Sequence, residues 1–145
     1  MIERRNFIKK TGLATAGLFS LGSTAALSHD YFKDAIIGHG SHRYKIDMAW
    51  GELNRKQFPV KDCHEMVQDA KGRIILLTNH TQNNVLIYDK SGKLLDAWGK
   101  DYPGAHGLTL HDENGEEFLY IADNERHEVI KTTLEGKVVQ IFPYP

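Results

Sequence analysis

From residue 63 onward the chain alternates short apolar runs with clusters of turn-forming residues. The runs Cys63 to Gln68, Arg73 to Thr78, Val85 to Tyr88 and Leu94 to Trp98 are punctuated by Asp69-Ala70-Lys71-Gly72 and Asp89-Lys90-Ser91-Gly92. A second set, His106 to Leu110, Phe118 to Ala122, Val129 to Thr132 and Val138 to Phe142, is punctuated by Asp112-Glu113-Asn114-Gly115 and Glu135-Gly136. Short runs of this kind, with Asp or Asn near the start of a turn and Gly at its end, predict antiparallel strands joined by tight reversals. No stretch beyond the N-terminal segment sustains a helical period, so the fold class is all-β. Ile74-Ile75-Leu76-Leu77 is apolar on both faces, which predicts a strand sandwiched between neighbouring sheets.

The two sets are copies of one unit. Ala49-Trp50-Gly51 returns as Ala97-Trp98-Gly99, 48 residues later; His64 returns as His106 after 42, and Gly92-Lys93 as Gly136-Lys137 after 44. A period in the forties with four strands per copy is the mark of β-propeller blades. The expected architecture is a partial propeller over residues 43–145, with blade units at about 52–99 and 100–142. Tyr44 to Trp50 matches only the last strand of a unit and adds one further strand. Propellers close with about four to eight blades. Two blades leave a blade face uncovered at each end, so missing blades or self-association are expected to complete the ring, and the chain reads as a fragment of a longer protein.

The first 28 residues differ in kind. Arg4-Arg5-Asn6-Phe7-Ile8-Lys9-Lys10 resembles the bacterial twin-arginine motif, with Arg4, Arg5 and Phe7 as its signature, and Thr11 to Ser28 carries no charge. That stretch is rich in Gly, Ala, Ser and Thr and less apolar than a spanning helix requires, as in a signal h-region. Ala26 and Ser28 offer a small-residue cleavage site. An uncleaved anchor is the alternative; cleavage leaves no stable membrane span. The implied partner is the twin-arginine export machinery and the implied location periplasmic or extracellular. Residues 29–42, with His29, His39 and His42 around Gly38 and Gly40, read as a flexible lead-in.

Charge and cysteine content narrow the function. The formal charge is -1, and removal of residues 1–28 leaves about -4, which argues against a large basic face, so no nucleic-acid partner is expected. Cys63 is the single cysteine, and no intrachain disulfide can form despite the export signal. The chain has no nucleophile elbow, P-loop, dinucleotide fingerprint or haem-attachment motif.

His64 and His106 fall at the same register, at the head of consecutive inner strands, where a propeller's axial channel has its mouth. Two imidazoles there are candidate metal ligands, although catalytic zinc usually takes three protein ligands and a water. The alternative is that each packs or hydrogen-bonds within the channel. Cys63 is a possible soft ligand, but strand alternation sends it to the face opposite His64 and favours a buried structural thiol. Asp123 is expected to bond turn amides. Arg126, in the loop after it, is a candidate for gripping a carboxylate, with a solvated turn residue as the alternative, and His127 is the second candidate ligand-binding residue. His80 and His111 read as surface residues, and Trp50 and Trp98 as blade-packing anchors.

From Tyr44 to Pro145, and most closely over Val85 to Val139, the sequence resembles bacterial NHL-repeat, six-bladed propeller proteins similar to the lyase domain of the peptide-amidating enzyme. The resemblance rests on a strand ending in Asp, a Gly-closed turn, Ala105-His106-Gly107-Leu108 opening the next inner strand, Asp123 closing the second strand and then His127-x-Val129. It implies a zinc ion in the central channel, with calcium, and puts His106 on one of three histidine ligand positions. The arginine such lyases need at the end of a second strand is missing at Thr78-Asn79-His80, and the other ligands and the catalytic tyrosine would lie in other blades. Two functions follow: an exported module that binds or scaffolds a peptide, glycan or protein, or a zinc-dependent lyase of the peptidylamidoglycolate type that is incomplete in this chain.

Overall fold

A computed structural model describes residues 35–144. Arg4, Arg5, Phe7 and His29 lie outside the described residues. The described part is all-β, with ten strands and no helix, and it divides into two compact units that part between Met48 and Ala49.

In the first unit, β1 (Ile36–His39) and β2 (His42–Lys45) form an exposed antiparallel hairpin in which His39 lies opposite His42 across Gly40-Ser41. This corrects the two expectations for the region. Part of the supposed flexible lead-in is paired backbone, because Gly40-Ser41 makes a reversal, and Tyr44 belongs to the hairpin's second strand, not to a strand that runs on to Trp50.

The second unit holds two four-stranded antiparallel meanders, the partial propeller that the repeat predicts. Blade 1 comprises β3 (Cys63–Gln68), β4 (Ile74–Thr78), β5 (Val85–Tyr88) and β6 (Leu94–Trp98). Blade 2 comprises β7 (Ala105–Glu113), β8 (Glu116–Asp123), β9 (Glu128–Thr133) and β10 (Val138–Pro143). Their registers coincide. Cys63 faces Thr78 as Ala105 faces Asp123, and Val85 faces Trp98 as Val129 faces Phe142. The strands of blade 2 run longer than the apolar runs. At the β7–β8 reversal Asn114 and Gly115 both adopt positive φ, 58° and 91°, so these two residues alone make the turn and Asp112 and Glu113 join β7. Positive φ at both central positions is what a two-residue hairpin of the twist-matching type demands, and Asn-Gly supplies it.

The backbones of β3 and β7 approach each other, as do β4 and β7, whereas β6 and β10 do not. The blades therefore splay from β3 and β7 outward, and the ends of these two strands lie on the axial side. Between the blades, Ile75, Leu77, Val85 and Ile87 from blade 1 meet Leu108, Leu119, Ile121 and Ile130 from blade 2 in one buried cluster. Each such side chain contributes roughly 1.5–3 kcal/mol on burial, which makes this interface the main source of cohesion. β4 is only partly sandwiched: Ile75 and Leu77 are fully buried against blade 2, while Ile74 and Leu76, on the other face, are half-buried.

Polar contacts lock the stack. Asn84 is fully buried and donates to the Thr78 and Tyr102 carbonyls at 3.2 and 2.8 Å while accepting the Tyr102 amide at 3.2 Å. It thus ties blade 1 to the linker that leads into blade 2. Trp50 and Trp98 act as packing anchors: their indole N–H groups donate to the Lys90 and Leu134 carbonyls, at 3.2 and 3.0 Å. Lys90 and Leu134 hold the same place in the Gly-closed turns that precede the outer strands of blades 1 and 2.

Candidate functional site

Two β-bulges build the axial end. In β3 the pairing steps from Cys63 opposite Thr78 to Glu65 opposite Leu77, leaving His64 as the extra residue; in β7 it steps from Ala105 opposite Asp123 to Gly107 opposite Ala122, leaving His106. A bulge kinks its strand and re-aims the extra side chain. Here both re-aimed residues are histidines, and both are exposed. Their rings stack with centroids 4.2 Å apart and planes 25° from parallel.

Glu65 explains why the two bulges meet. Its carboxylate accepts the backbone amide of Leu108 across the blade boundary, fixing β3 against β7 one residue beyond His64 and two beyond His106. Gly107, beside His106, leaves space there: a side chain at this position would approach the Ala122 methyl to 3.3 Å and the Glu65 carboxylate to 3.9 Å. Sequence reasoning singled out the histidines and passed over Glu65. A charged residue on an inner strand whose repeat equivalent is Gly107 was the available signal.

Behind the histidines the strand ends are tied alike in the two blades. Asp123 is buried, and its carboxylate accepts the amides of Gly104, Glu125 and Arg126 at 3.1, 2.9 and 2.9 Å, the turn-bonding role that its position predicts. In blade 1 Thr78 takes that place, its hydroxyl accepting the amides of Lys61 and His80 at 3.1 and 3.3 Å. The Asn79 amide donates to the Asp62 carbonyl, and the Asn124 amide to the Gly104 carbonyl.

Cys63 is exposed, contrary to the buried thiol expected from strand alternation. The bulge at His64 breaks the alternation, and β3 is an edge strand of its sheet. The thiol donates weakly to the Lys61 carbonyl at 3.7 Å. Partial desolvation pushes its pKa above the ordinary thiol value, Asp62 adds to the rise, and a hydrogen bond with Thr78 opposes it. A thiol held protonated is a poor ligand or nucleophile.

Arg126 and His127 lie in the β8–β9 loop. The Arg126 guanidinium pairs with the Glu128 carboxylate through Nε at 2.9 Å and Nη2 at 2.8 Å, and its Nη1 donates to the Asp101 carbonyl at 3.0 Å. The pair with Glu128 raises the Arg126 pKa further. The fork that would grip a carboxylate ligand thus already holds one from the protein. His127 adopts a left-handed conformation, φ 54°, and its ring lies edge-on to Tyr144 at 6.4 Å, beside the outer strand. The structure therefore brings His64 and His106 together and sets the His127 ring beside Tyr144 instead. His80 caps its own turn, its Nδ1 accepting the Gln82 amide at 3.2 Å, and His111 lies on the surface edge-on to Tyr120.

As a metal site the axial pair is incomplete. Among the described residues no group of three or more His, Cys, Asp or Glu side chains is placed to hold an ion, whereas catalytic zinc usually takes three protein ligands and calcium a cage of six or more oxygens. The donor set present here does not fit a complete zinc or calcium site. No family model, curated protein or solved structure matches the chain.

Proposed function

We propose that this chain is part of an exported NHL-type β-propeller acting as a binding or scaffold module, and that it presents the axial end of its inner strands to a peptide, glycan or protein. The observation that carries this reading is the His64–His106 pair: two exposed imidazoles, each re-aimed by a bulge, adjoin at equivalent positions of consecutive blades. Exposed imidazoles can donate and accept hydrogen bonds and stack on flat groups, a set suited to peptide amides and sugar hydroxyls. The Arg4-Arg5-Asn6-Phe7 segment supports export through the twin-arginine machinery to the periplasm or beyond.

Peptide and glycan arrays probed with the labelled chain test the reading. Features that bind the chain and are lost with a His64→Ala/His106→Ala variant are expected. An array on which nothing binds, or on which the variant binds equally, contradicts it.

The same pair favours a second reading, a zinc-dependent lyase-like propeller in which His106 and His64 contribute part of a ligand set completed by other blades. Elemental analysis of purified protein and equilibrium dialysis against zinc, each repeated with His106→Ala, separate the two. Zinc bound by the chain and lost with the variant supports the lyase-like reading; zinc bound equally by chain and variant counts against it.

A further inference from the structure

The hairpin of the first unit sets two histidines directly across from each other. His39 ends β1 and His42 begins β2; they are partners across the Gly40-Ser41 reversal, and both are exposed. Partners in an antiparallel pair project to one face with their β-carbons roughly 4.5–5.5 Å apart. Rotation about side-chain bonds therefore lets the two imidazoles close on one ion without moving the backbone. Ser41 Oγ lies 3.4 Å from His42 Nδ1. A hydrogen bond from the Nδ1–H to that hydroxyl leaves Nε2 with its lone pair free, which is how ligating histidines are usually held.

The backbone is shaped to keep this pairing. Gly38, at φ 121°, lies so close to the facing strand that a side chain there would run into the His42 carbonyl. Strand alternation then sorts the neighbours. Ile37 and Tyr44 are opposite each other and share the face of the histidines, whereas Arg43 and Lys45 fall on the other face. The histidine face thus carries no cationic strand residue to oppose a metal ion. Every residue of both strands is exposed, so burial contributes little to the hairpin, and a two-stranded hairpin is marginal on its own. An ion that takes one ligand from each strand adds its binding free energy to the paired form.

We propose that His39 and His42 form a surface site for a divalent transition ion that prefers imidazole, of the class of Ni2+, Cu2+ and Zn2+. Each strand supplies one ring nitrogen. Among the described residues no group of three ligating side chains is placed to hold an ion, so water takes the remaining positions and the ion stays open to a further ligand from solution. The site rests neither on the axial histidines nor on the function proposed for them.

Calorimetric titration of the untagged full chain with Ni2+, which leaves the exposed Cys63 thiol unoxidised, tests the proposal. The parent carries His64→Ala and His106→Ala, so that the axial pair takes up none of the ion. Three variants are made in it: His39→Ala, His42→Ala, and His42→Ala with Arg43→His, which keeps the number of histidines and moves one to the opposite face of the hairpin. The expected result is one Ni2+ bound by the parent, with affinity reduced at least tenfold in each variant. Ni2+ well below one equivalent is also expected to broaden the ring-proton signals of His39 and His42 before those of any other histidine. A parent that binds no Ni2+, a reduction smaller than tenfold in any variant, or broadening that begins at another histidine overturns the proposal.

Discussion

Trp98 donates its indole N–H to the carbonyl of Leu134 at 3.0 Å, joining the last strand of one blade to the last turn of the next across 36 positions of sequence. Trp98→Phe keeps most of the ring's contact and removes this bond, and is expected to cost about 1 kcal/mol. Trp98→Ala removes the contact as well and is expected to cost roughly 3 kcal/mol, at the low end for aromatic truncation because the side chain is half-buried. Urea titration of the two variants checks the order.

Gly136 and Gly115 separate space from backbone strain. Both have positive φ, but nothing lies within 4 Å of a side chain added at Gly115, whereas at Gly136 it meets the Trp98 ring. Gly115→Ala is expected to cost about 1–2 kcal/mol from the left-handed conformation alone. Gly136→Ala carries the same strain plus displacement of Trp98, so its midpoint in urea falls further, and its tryptophan emission shifts while that of Gly115→Ala does not.

Asn84 is buried with both ends of its amide engaged. Asn84→Ala leaves the Tyr102 amide and two carbonyls short of a partner and is expected to cost about 1–3 kcal/mol. Asn84→Asp keeps the size and puts a carboxylate against the Thr78 and Tyr102 carbonyls, so it is expected to be the worse of the two at neutral pH and to recover on acidification. Thermal melts at two pH values check both statements.

Glu113 gives the outward face of blade 2 an acid-sensitive element. The hydrogen bond from Lys131, then that from Tyr120, holds its carboxyl below the usual carboxylate range, and the bond that Lys131 donates to Glu113 raises Lys131. A depressed acid contributes stability above its unfolded pKa and loses it as pH falls through its folded one; a raised amine contributes below its unfolded pKa and loses it as pH rises through its folded one. The pair thus contributes fully between the ordinary carboxylate and lysine ranges. Glu113→Gln is expected to flatten the acid limb of the stability–pH curve, which urea midpoints across acidic pH would register.

The repeat period, the Gly-closed turns and the equivalence of His64 with His106 were legible because each leaves a mark at a fixed spacing in the chain. Trp50 and Trp98 were legible as anchors for the same reason, though not the carbonyls they bond. Cys63 was misplaced because strand alternation holds only while the register is unbroken, and no residue type announces the bulge at His64. The β1–β2 hairpin was read as flexible because its glycines signal a bend without saying which residues pair across it. Asn114-Gly115 carried a direct hairpin signal that the broader Asp112 to Gly115 cluster obscured. The role of Glu65 depends on a backbone amide 43 positions away, which no local pattern encodes.

Proton–proton cross-relaxation between the imidazole rings of His64 and His106 tests most directly whether two equivalent bulged strands adjoin on one axis. With ring centroids 4.2 Å apart, cross-peaks between the ring protons of the two residues are expected, unchanged on dilution and lost with either histidine replaced by alanine. Rings that show no mutual cross-peaks, with His106 instead in contact with residues of its own outer strand, would contradict the stacked-blade account.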